Sequence, residues 1–187
     1  KEVCVPIIQV LIFRGTGGVY NEDHPYYGEP ALVRAGHVGV IGIIEDRIIG
    51  FHPTPEAADA IGGEKALLDA LRQTKPQPGR LQDDVSYFER AAQLVEATTG
   101  RTTVYVYDVE ISEETLNKIR SWYNEGKEAL YSFPNASGQF AENHSNCAMF
   151  WLTWFSIPLP KQTGSIKELV EIMKDEEYDT WLPNAND

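Results

Sequence analysis

Cys147 is the residue of this chain whose surroundings most clearly favour chemistry. It follows the polar run of residues 143–146 and precedes an apolar, aromatic run that includes Phe150 and Trp151. This change from polar to apolar predicts that a loop ends at the start of a buried helix. A thiol at a helix N-terminus lies at the positive end of the helix dipole, which favours the nucleophilic thiolate. Taken alone, however, a free cysteine before an apolar stretch is typical of an inert core residue.

Two histidines flank a predicted β-hairpin. Apolar, β-branched runs lie on either side of the polar break at residues 45–47, with His37 before the first run and His52 after the second. Because the start of one antiparallel strand lies beside the end of the next, both imidazoles are expected at the same end of the hairpin. The turn and any bulge decide which face each ring occupies, so their spacing does not settle it. Two unrelated histidines, one a strand cap and one in a loop, are the alternative.

Together these residue types predict nucleophilic acyl chemistry. Cys147 would attack a carbonyl carbon, His37 would hold or take the thiol proton, and His52 would orient the His37 ring through its second nitrogen. His52 cannot neutralise an imidazolium, so its expected contribution is orientation. His144, close to Cys147 in sequence, has the neighbours of an exposed loop and ranks below both.

An oxyanion hole is also required, because a developing negative charge on oxygen needs hydrogen-bond donors. The backbone N–H of Cys147 is the natural first donor, and Asn146, Tyr131 and Ser145 are candidates for the second. Alternatively, Asn146 is a helix cap and Tyr131 a core aromatic. Zinc binding by the cysteine and the two histidines is disfavoured, because the chain has no closely spaced ligand pair. No metal and no cofactor is therefore expected.

The stretches Gly36-His37-Val38-Gly39-Val40 and Ile49-Gly50-Phe51-His52-Pro53 resemble the His-bearing hairpin of papain-like, NlpC-type cysteine hydrolases. Here the cysteine follows the hairpin, as in the circularly permuted branch with lecithin:retinol acyltransferase-like, PPPDE-type and bacterial amidase-like proteins. Asn146-Cys147 followed by Phe150 is similar to their Asn-Cys-x-x-Phe segment. The resemblance covers roughly residues 33–170.

That resemblance implies an α+β, permuted papain-like fold, in which an antiparallel sheet packs against helices that include the Cys-bearing helix. One domain would span residues 1–187, with an insert at 54–102. The implied activity is a cysteine hydrolase that cleaves an amide or isopeptide bond through a thioacyl-enzyme intermediate. Acyl transfer or ester hydrolysis on a lipid, and a catalytically inactive binding module, are the alternatives. The implied substrates are a peptide, a protein conjugate or an acyl compound.

A polar, aromatic loop at residues 19–35 contains Tyr26 and Tyr27, which we expect to border the substrate cleft, although an ordinary surface loop is the simpler interpretation. Trp151, Trp154 and Phe155 follow the nucleophile at helical spacing, which favours core packing over a lipid-binding wall.

Composition limits the classes of partner. The 187 residues are 42% hydrophobic, which is typical of one folded domain. Acidic residues outnumber basic ones by 28 to 16, which argues against nucleic-acid binding through a broad basic face. Two cysteines, Cys4 and Cys147, exclude a disulfide framework, and Cys4 is expected unbridged on a strand. The chain has neither a transmembrane run nor a signal-peptide pattern, so a soluble domain, secreted or excised from a larger protein, is expected.

Periodicity and turn residues predict the remaining elements. Residues 75–79 read as a breaker-rich loop, and Gly62-Gly63 divides a helical stretch into two short helices. Strands are expected at 3–13 and 102–109, and helices within 56–73, at 86–97, from Ser112, from the cysteine to before Pro158, and at 165–174.

Overall fold

The computed structural model describes residues 5–15, 35–97 and 103–181, without the side chains of residues 94–97. Tyr26 and Tyr27, proposed for the substrate cleft, lie outside the described residues, as does Cys4. Within those limits the chain is α+β, as predicted, with one mixed sheet of eight strands and six helices. No helix among these residues is long and apolar enough to cross a membrane.

The strands pair in the order β7-β6-β4-β3-β2-β1-β5-β8. Every neighbouring pair is antiparallel except β6 and β7, which run parallel, so the expected all-antiparallel sheet is wrong at that edge. The strands are β1 (Ile7–Phe13), β2 (His37–Ile41), β3 (Ile48–Pro53), β4 (Gln77–Asp83), β5 (Val104–Glu110), β6 (Glu128–Tyr131), β7 (His144–Ser145) and β8 (Asp179–Thr180).

Helix ends follow the capping residues in the sequence. Ser112 and Ser165 each accept a hydrogen bond from the backbone N–H three residues later, and Thr54 does the same. Gly62, in a left-handed conformation, ends the first helix, which confirms the predicted break. The helices are α1 (Pro55–Ile61), α2 (Glu64–Arg72), α3 (Val85–Ala97), α4 (Glu113–Glu125), α5 (Met149–Phe155) and α6 (Ile166–Asp175).

The prediction of a loop at residues 75–79 is wrong. From Gln77 the chain forms β4, which is paired on one side with β3 and on the other with β6. Pro78 is tolerated as the second residue of the strand, and its carbonyl accepts a 2.9 Å hydrogen bond from the Thr54 N–H. The stretch at 54–102, expected as an insert, therefore supplies a central strand.

Both faces of the sheet are covered. On β1, Leu11 and Phe13 point into a cluster with Phe88 of α3, whereas Val10 and Ile12 point into the larger cluster on the other face. That larger cluster is closed by residues of α4, α5 and α6. Burial on both faces explains why the central hairpin is almost continuously apolar.

Candidate active site

The two histidines of the hairpin lie directly across from each other. In the β2–β3 pairing Gly39 faces Gly50, and continuing that register by two residues sets His37 opposite His52. Opposed residues of an antiparallel pair share a face. The two ring centroids are 5.5 Å apart, which confirms that both imidazoles lie at the same end of the hairpin.

A carboxylate lies between the two rings. The Nε2 of His37 is 2.6 Å from Oδ2 of Asp84, and the Nε2 of His52 is 2.7 Å from Oδ1 of the same residue. The direct contact that was expected between the histidines is therefore wrong, because Asp84 occupies the nitrogen of His37 through which His52 was to act. Asp84 braces His37, and His52 braces Asp84.

Glycine at position 50 makes room for that carboxylate. A Cβ built on Gly50 would lie 1.6 Å from Oδ2 of Asp84 and 2.5 Å from Nε2 of His37. Asp84 follows β4 immediately, and its backbone N–H donates a 2.7 Å hydrogen bond to the carbonyl of Ile48. The side chain thus reaches back across the bare backbone of Gly50 to both rings.

Burial and neighbouring charges together determine the protonation states of His37 and Asp84. Burial lowers the pKa of His37, but the charge and hydrogen bond of Asp84, with smaller contributions from Cys147, raise it to about 10. Burial likewise opposes ionisation of Asp84, yet His37 and His52 lower its pKa to about 2. Tyr87 and Phe88 of α3 pack on His37, with ring centroids 5.0 and 6.1 Å away. Near neutral pH the pair is therefore an imidazolium and a carboxylate in an enclosed site.

Cys147 lies in a turn just before α5, not on the regular helix that was expected to bear it. The Oδ1 of Asn146 accepts hydrogen bonds from the backbone N–H groups of Ala148 and Met149, at 3.1 and 3.0 Å. The carbonyl of Asn146 also accepts from the Phe150 N–H at 3.0 Å, so Asn146 caps this turn. Cys147 is a free thiol with 4% of its surface exposed.

Strand β3 positions both halves of the site. His52 points to the face of α3, whereas the neighbouring Phe51 points to the other face and stacks on Phe150 of α5, with ring centroids 3.8 Å apart. Phe150 is three residues after Cys147. Strand β3 therefore contacts the histidine–aspartate cluster through His52 and the segment of the cysteine through Phe51.

The thiol lies within reach of the His37 ring. Because Nε2 is bound to Asp84, Nδ1 is the nitrogen left for proton exchange with Cys147. The Cys147 side chain raises the pKa of His37, which places the thiol close to that ring. Among the described residues, Nδ1 has no hydrogen-bond partner, even at the longer distance that a bond to sulfur allows, so the thiol lies near Nδ1 without a formed hydrogen bond to it.

Of the three predicted second donors for an oxyanion hole, Tyr131 is the one beside the thiol. Burial raises the pKa of Tyr131 well above its usual value, and Cys147 raises it further by its charge and a side-chain hydrogen bond. A hydrogen bond with the backbone of Cys147 lowers the pKa of the same Tyr131 hydroxyl. The phenol thus stays neutral, and its hydroxyl lies close to the Cys147 N–H.

The other two candidates fit the role less well. The Oδ1 of Asn146 is used as a cap, and Nδ2 donates to the Gly164 carbonyl at 2.7 Å, which leaves one N–H. Ser145 is fully buried, its hydroxyl makes no hydrogen bond within the described residues, and it does not line the cavity beside Cys147. His144 is partly exposed on β7 and outside the cluster.

A cavity of about 760 Å³ opens beside the thiol. Cys147, His52, Tyr131 and Asn146 line it together with residues of α1 and α2 and the start of α6. A volume of this size is in the range of small-molecule binding sites. Space for a small molecule therefore extends up to the thiol of Cys147.

The same cluster contains possible metal ligands. One ligand atom each of His37, His52 and Asp84 lie within 4.8 Å of one another. However, the two nitrogen–oxygen distances of 2.6 and 2.7 Å are those of direct hydrogen bonds. A zinc ion would have to replace both bonds, with each ligand about 2.0–2.2 Å from the metal. The arrangement of these three side chains is therefore that of a hydrogen-bonded cluster and not that of a zinc site.

Asp84 was missed from the sequence. Asp83 and Asp84 lie just before the predicted helix at 86–97, where acidic residues are typical helix caps. Oδ1 of Asp83 does accept a hydrogen bond from the Val85 N–H at 3.1 Å. The useful signal was an acidic residue at the end of a strand neighbouring the hairpin. The first three residues of that strand, β4, had been predicted as part of a loop, and the rest had no assigned element.

Comparison of the chain with protein-family models, curated proteins and solved structures found no match.

Proposed function

We propose that this protein is a cysteine-dependent hydrolase that cleaves an amide or isopeptide bond through a thioacyl-enzyme intermediate. The observation that supports the proposal is the buried hydrogen bond between Asp84 and His37, close to Cys147, whose thiol lines a cavity. A nucleophile, a base and a group that orients the base are the parts such chemistry requires.

Acylation would begin from a thiolate stabilised by the His37 imidazolium. The sulfur of Cys147 attacks the carbonyl carbon, a C–S bond forms, and the carbonyl electron pair moves to oxygen. As the tetrahedral intermediate collapses, the C–N bond breaks and His37 gives its proton to the leaving nitrogen. The products of this step are a free amine and a thioester on Cys147.

Deacylation reverses these roles with water. Neutral His37 takes a proton from a water molecule, whose oxygen attacks the thioester carbonyl. The C–S bond then breaks, the carboxylic acid leaves, and the thiolate–imidazolium pair is restored. The backbone N–H of Cys147 and the hydroxyl of Tyr131 would stabilise the oxyanion in both halves.

Asp84 and His52 are positioning residues in this scheme. Asp84 holds Nε2 of His37, which leaves Nδ1 for the sulfur, and its ionised form stabilises the imidazolium. His52 fixes the second carboxylate oxygen.

A permuted papain-like fold is part of the proposal. It is supported by a histidine hairpin that precedes the cysteine along the chain, and by a central sheet packed against the segment that carries the thiol.

Acyl transfer, or ester hydrolysis on an acyl compound, is the second candidate function. It uses the same residues and differs only in which acceptor reaches the thioester. Apolar side chains in the wall of the cavity favour it, because they suit an acyl group.

Covalent labelling tests the proposal. The protein would be incubated at neutral pH with peptide-amide, ubiquitin-like and acyl-lipid electrophiles, and adducts would be located by mass spectrometry. We expect an adduct on Cys147, strongly reduced in His37→Gln and absent in Cys147→Ala. Cys4→Ser is the matched control, since it removes the other thiol and should label like the wild type. Equal labelling in the His37 variant would show that the thiol reacts without this imidazole.

A further inference from the structure

One wall of the cavity beside Cys147 is apolar and comes from α1 and α2. Leu67, Leu68 and Leu71 of α2 line it, and Ala58 of α1 extends the same surface. Leu67 and Leu71 are buried, whereas Leu68 is partly exposed. These side chains form an aliphatic surface near the nucleophile.

Charged groups on the cavity lie in contact with water. Arg14 has 39% of its side chain exposed and lies 3.6 Å from Glu171, and both Lys167 and Glu64 are exposed. A charged group of a substrate would therefore interact with charged side chains at the rim of the cavity and not with the leucines. The inner wall suits a group without hydrogen-bonding capacity.

The position of the cavity next to Cys147 places it on the acyl side of the scissile bond in the proposed mechanism. In the mechanism above, the leaving nitrogen takes its proton from His37, which does not line the cavity, whereas Cys147 does. The acyl group stays bonded to Cys147 after the amine has left. The leucine wall is therefore available to the acyl side of the substrate.

We propose that this cavity binds an apolar group on the acyl side of the scissile carbonyl, and that Leu68 with its two neighbouring leucines sets the size of that group. The inference rests on the proposed cysteine hydrolase activity and deepens it. Such a group can be a hydrocarbon chain or the side chain of an apolar amino acid. Both present the same chemistry to the wall.

Burial of apolar surface gives the expected size of the effect. Each methylene transferred from water to the wall should raise kcat/KM by about fourfold, until the cavity is filled. Beyond that point a longer group gains nothing. A preference that rises and then levels off is therefore expected.

Two series of 4-nitrophenyl esters would test this. The first carries straight acyl chains from acetyl to dodecanoyl, and the second carries N-acetylated glycine, alanine, leucine and phenylalanine. Intact mass would verify the acyl group on Cys147, and release of nitrophenol would give kcat/KM. The series with the steeper dependence identifies a hydrocarbon chain or an amino-acid side chain as the source.

Variants of Leu68 provide the decisive comparison. Leu68→Trp should move the preferred group to a smaller size, and Leu68→Ala should move it to a larger one. Ile7→Trp is the matched control, because Ile7 is 57% exposed and does not line the cavity. Its preference should equal that of the wild type.

The failures are distinguishable. If Cys147 is acylated by every ester at a similar rate, or if both Leu68 variants keep the wild-type preference, the apolar-group inference is wrong and the hydrolase proposal stands. If no ester acylates Cys147 while free cysteine reacts with all of them, the hydrolase proposal is wrong, and the inference is withdrawn with it.

Discussion

The carboxylate of Asp84 binds His37 through one oxygen and His52 through the other, at 2.6 and 2.7 Å. Both carboxylate oxygens of Asp84 are therefore hydrogen-bonded. Neither imidazole ring can turn without breaking its hydrogen bond to this buried carboxylate. In the proposed mechanism this fixes the tautomer and orientation of His37.

Replacement of Asp84 by asparagine should lower kcat by about 10²–10⁴-fold, because an amide cannot stabilise the imidazolium and leaves the ring orientation undefined. Measurement of kcat on an activated ester would show this. Asp83→Asn is a close control, since Asp83 is exposed and pairs with Arg47 outside the site. A similar loss in both variants would contradict a specific role for Asp84.

His52 should matter less than Asp84. His52→Gln keeps a donor near Oδ1 and should cost no more than about tenfold in kcat, whereas His52→Ala leaves a buried carboxylate oxygen unpaired and should cost more. The informative result is a higher kcat in His52→Gln than in His52→Ala, because a residue that only filled space would not need a hydrogen-bond donor. If alanine and glutamine behave alike, His52 does not act through Asp84.

Gly50→Ala should abolish activity, because its Cβ would overlap Oδ2 of Asp84 and displace the carboxylate. Overpacking of this kind also costs about 1–3 kcal/mol of stability, measurable by urea unfolding. Gly39→Ala is the matched comparison: it is the strand partner of Gly50, and its Cβ would meet Phe88 instead, 2.5 Å away. Because Phe88 packs on His37 but makes no hydrogen bond to the Asp84 carboxylate, the folded Gly39 variant should lose far less activity than the Gly50 variant. Full activity in Gly50→Ala would contradict the geometry of Asp84 and His37.

Tyr131→Phe should lower kcat by about 10²–10³-fold with a smaller effect on KM, as expected for the loss of an oxyanion donor. Tyr123→Phe, on α4 and away from the cavity, provides the control. If Tyr131→Phe retains wild-type kcat, the second donor is another group, and the remaining N–H of Asn146 becomes the candidate.

Stability should decline at both ends of the pH scale. The pKa of His37 rises from 6.5 to about 10 on folding, so its stabilising contribution is complete below pH 6.5 and is lost as the pH rises through 10. The pKa of Asp84 falls from 3.8 to about 2, so its contribution is complete above pH 3.8 and is lost as the pH falls through 2.

Urea unfolding across this range would measure both limbs. His37→Gln should remove the alkaline decline between pH 6.5 and 10. The same alkaline slope in wild type and variant would mean that another group is responsible. For activity, kcat should fall as the pH approaches 10, because His37 then lacks the proton for the leaving group.

The hairpin and its two histidines could be predicted because a local signal carries them: apolar, β-branched runs on either side of a polar turn. The register that sets His37 opposite His52 could not, since it depends on a turn in which Gly42 and Asp46 adopt positive φ angles. Period-based reasoning also gave the helices and the N-cap Ser112, and it left Asn146 open as either a cap or a donor. The caps Thr54 and Ser165 were not predicted.

Asp84 and β4 were missed for one physical reason. Gln77 to Arg80 contains proline and glycine, which weaken any local tendency to form a strand. The segment is nonetheless extended because β3 and β6 satisfy its backbone on both sides. Tertiary pairing of this kind leaves no local trace in the sequence, and the role of Asp84 follows from it.

The central position of β4 has a consequence for biosynthesis. Strand β3, with His52, and strand β6, which leads through β7 to the cysteine, each pair with β4 and not with each other. Contacts between such distant parts of a chain form late in folding, because loop closure must precede them. In the proposed mechanism, a nascent or partly unfolded chain would therefore carry a thiol that lacks its imidazole partner, so reactivity toward electrophiles would mark completed molecules.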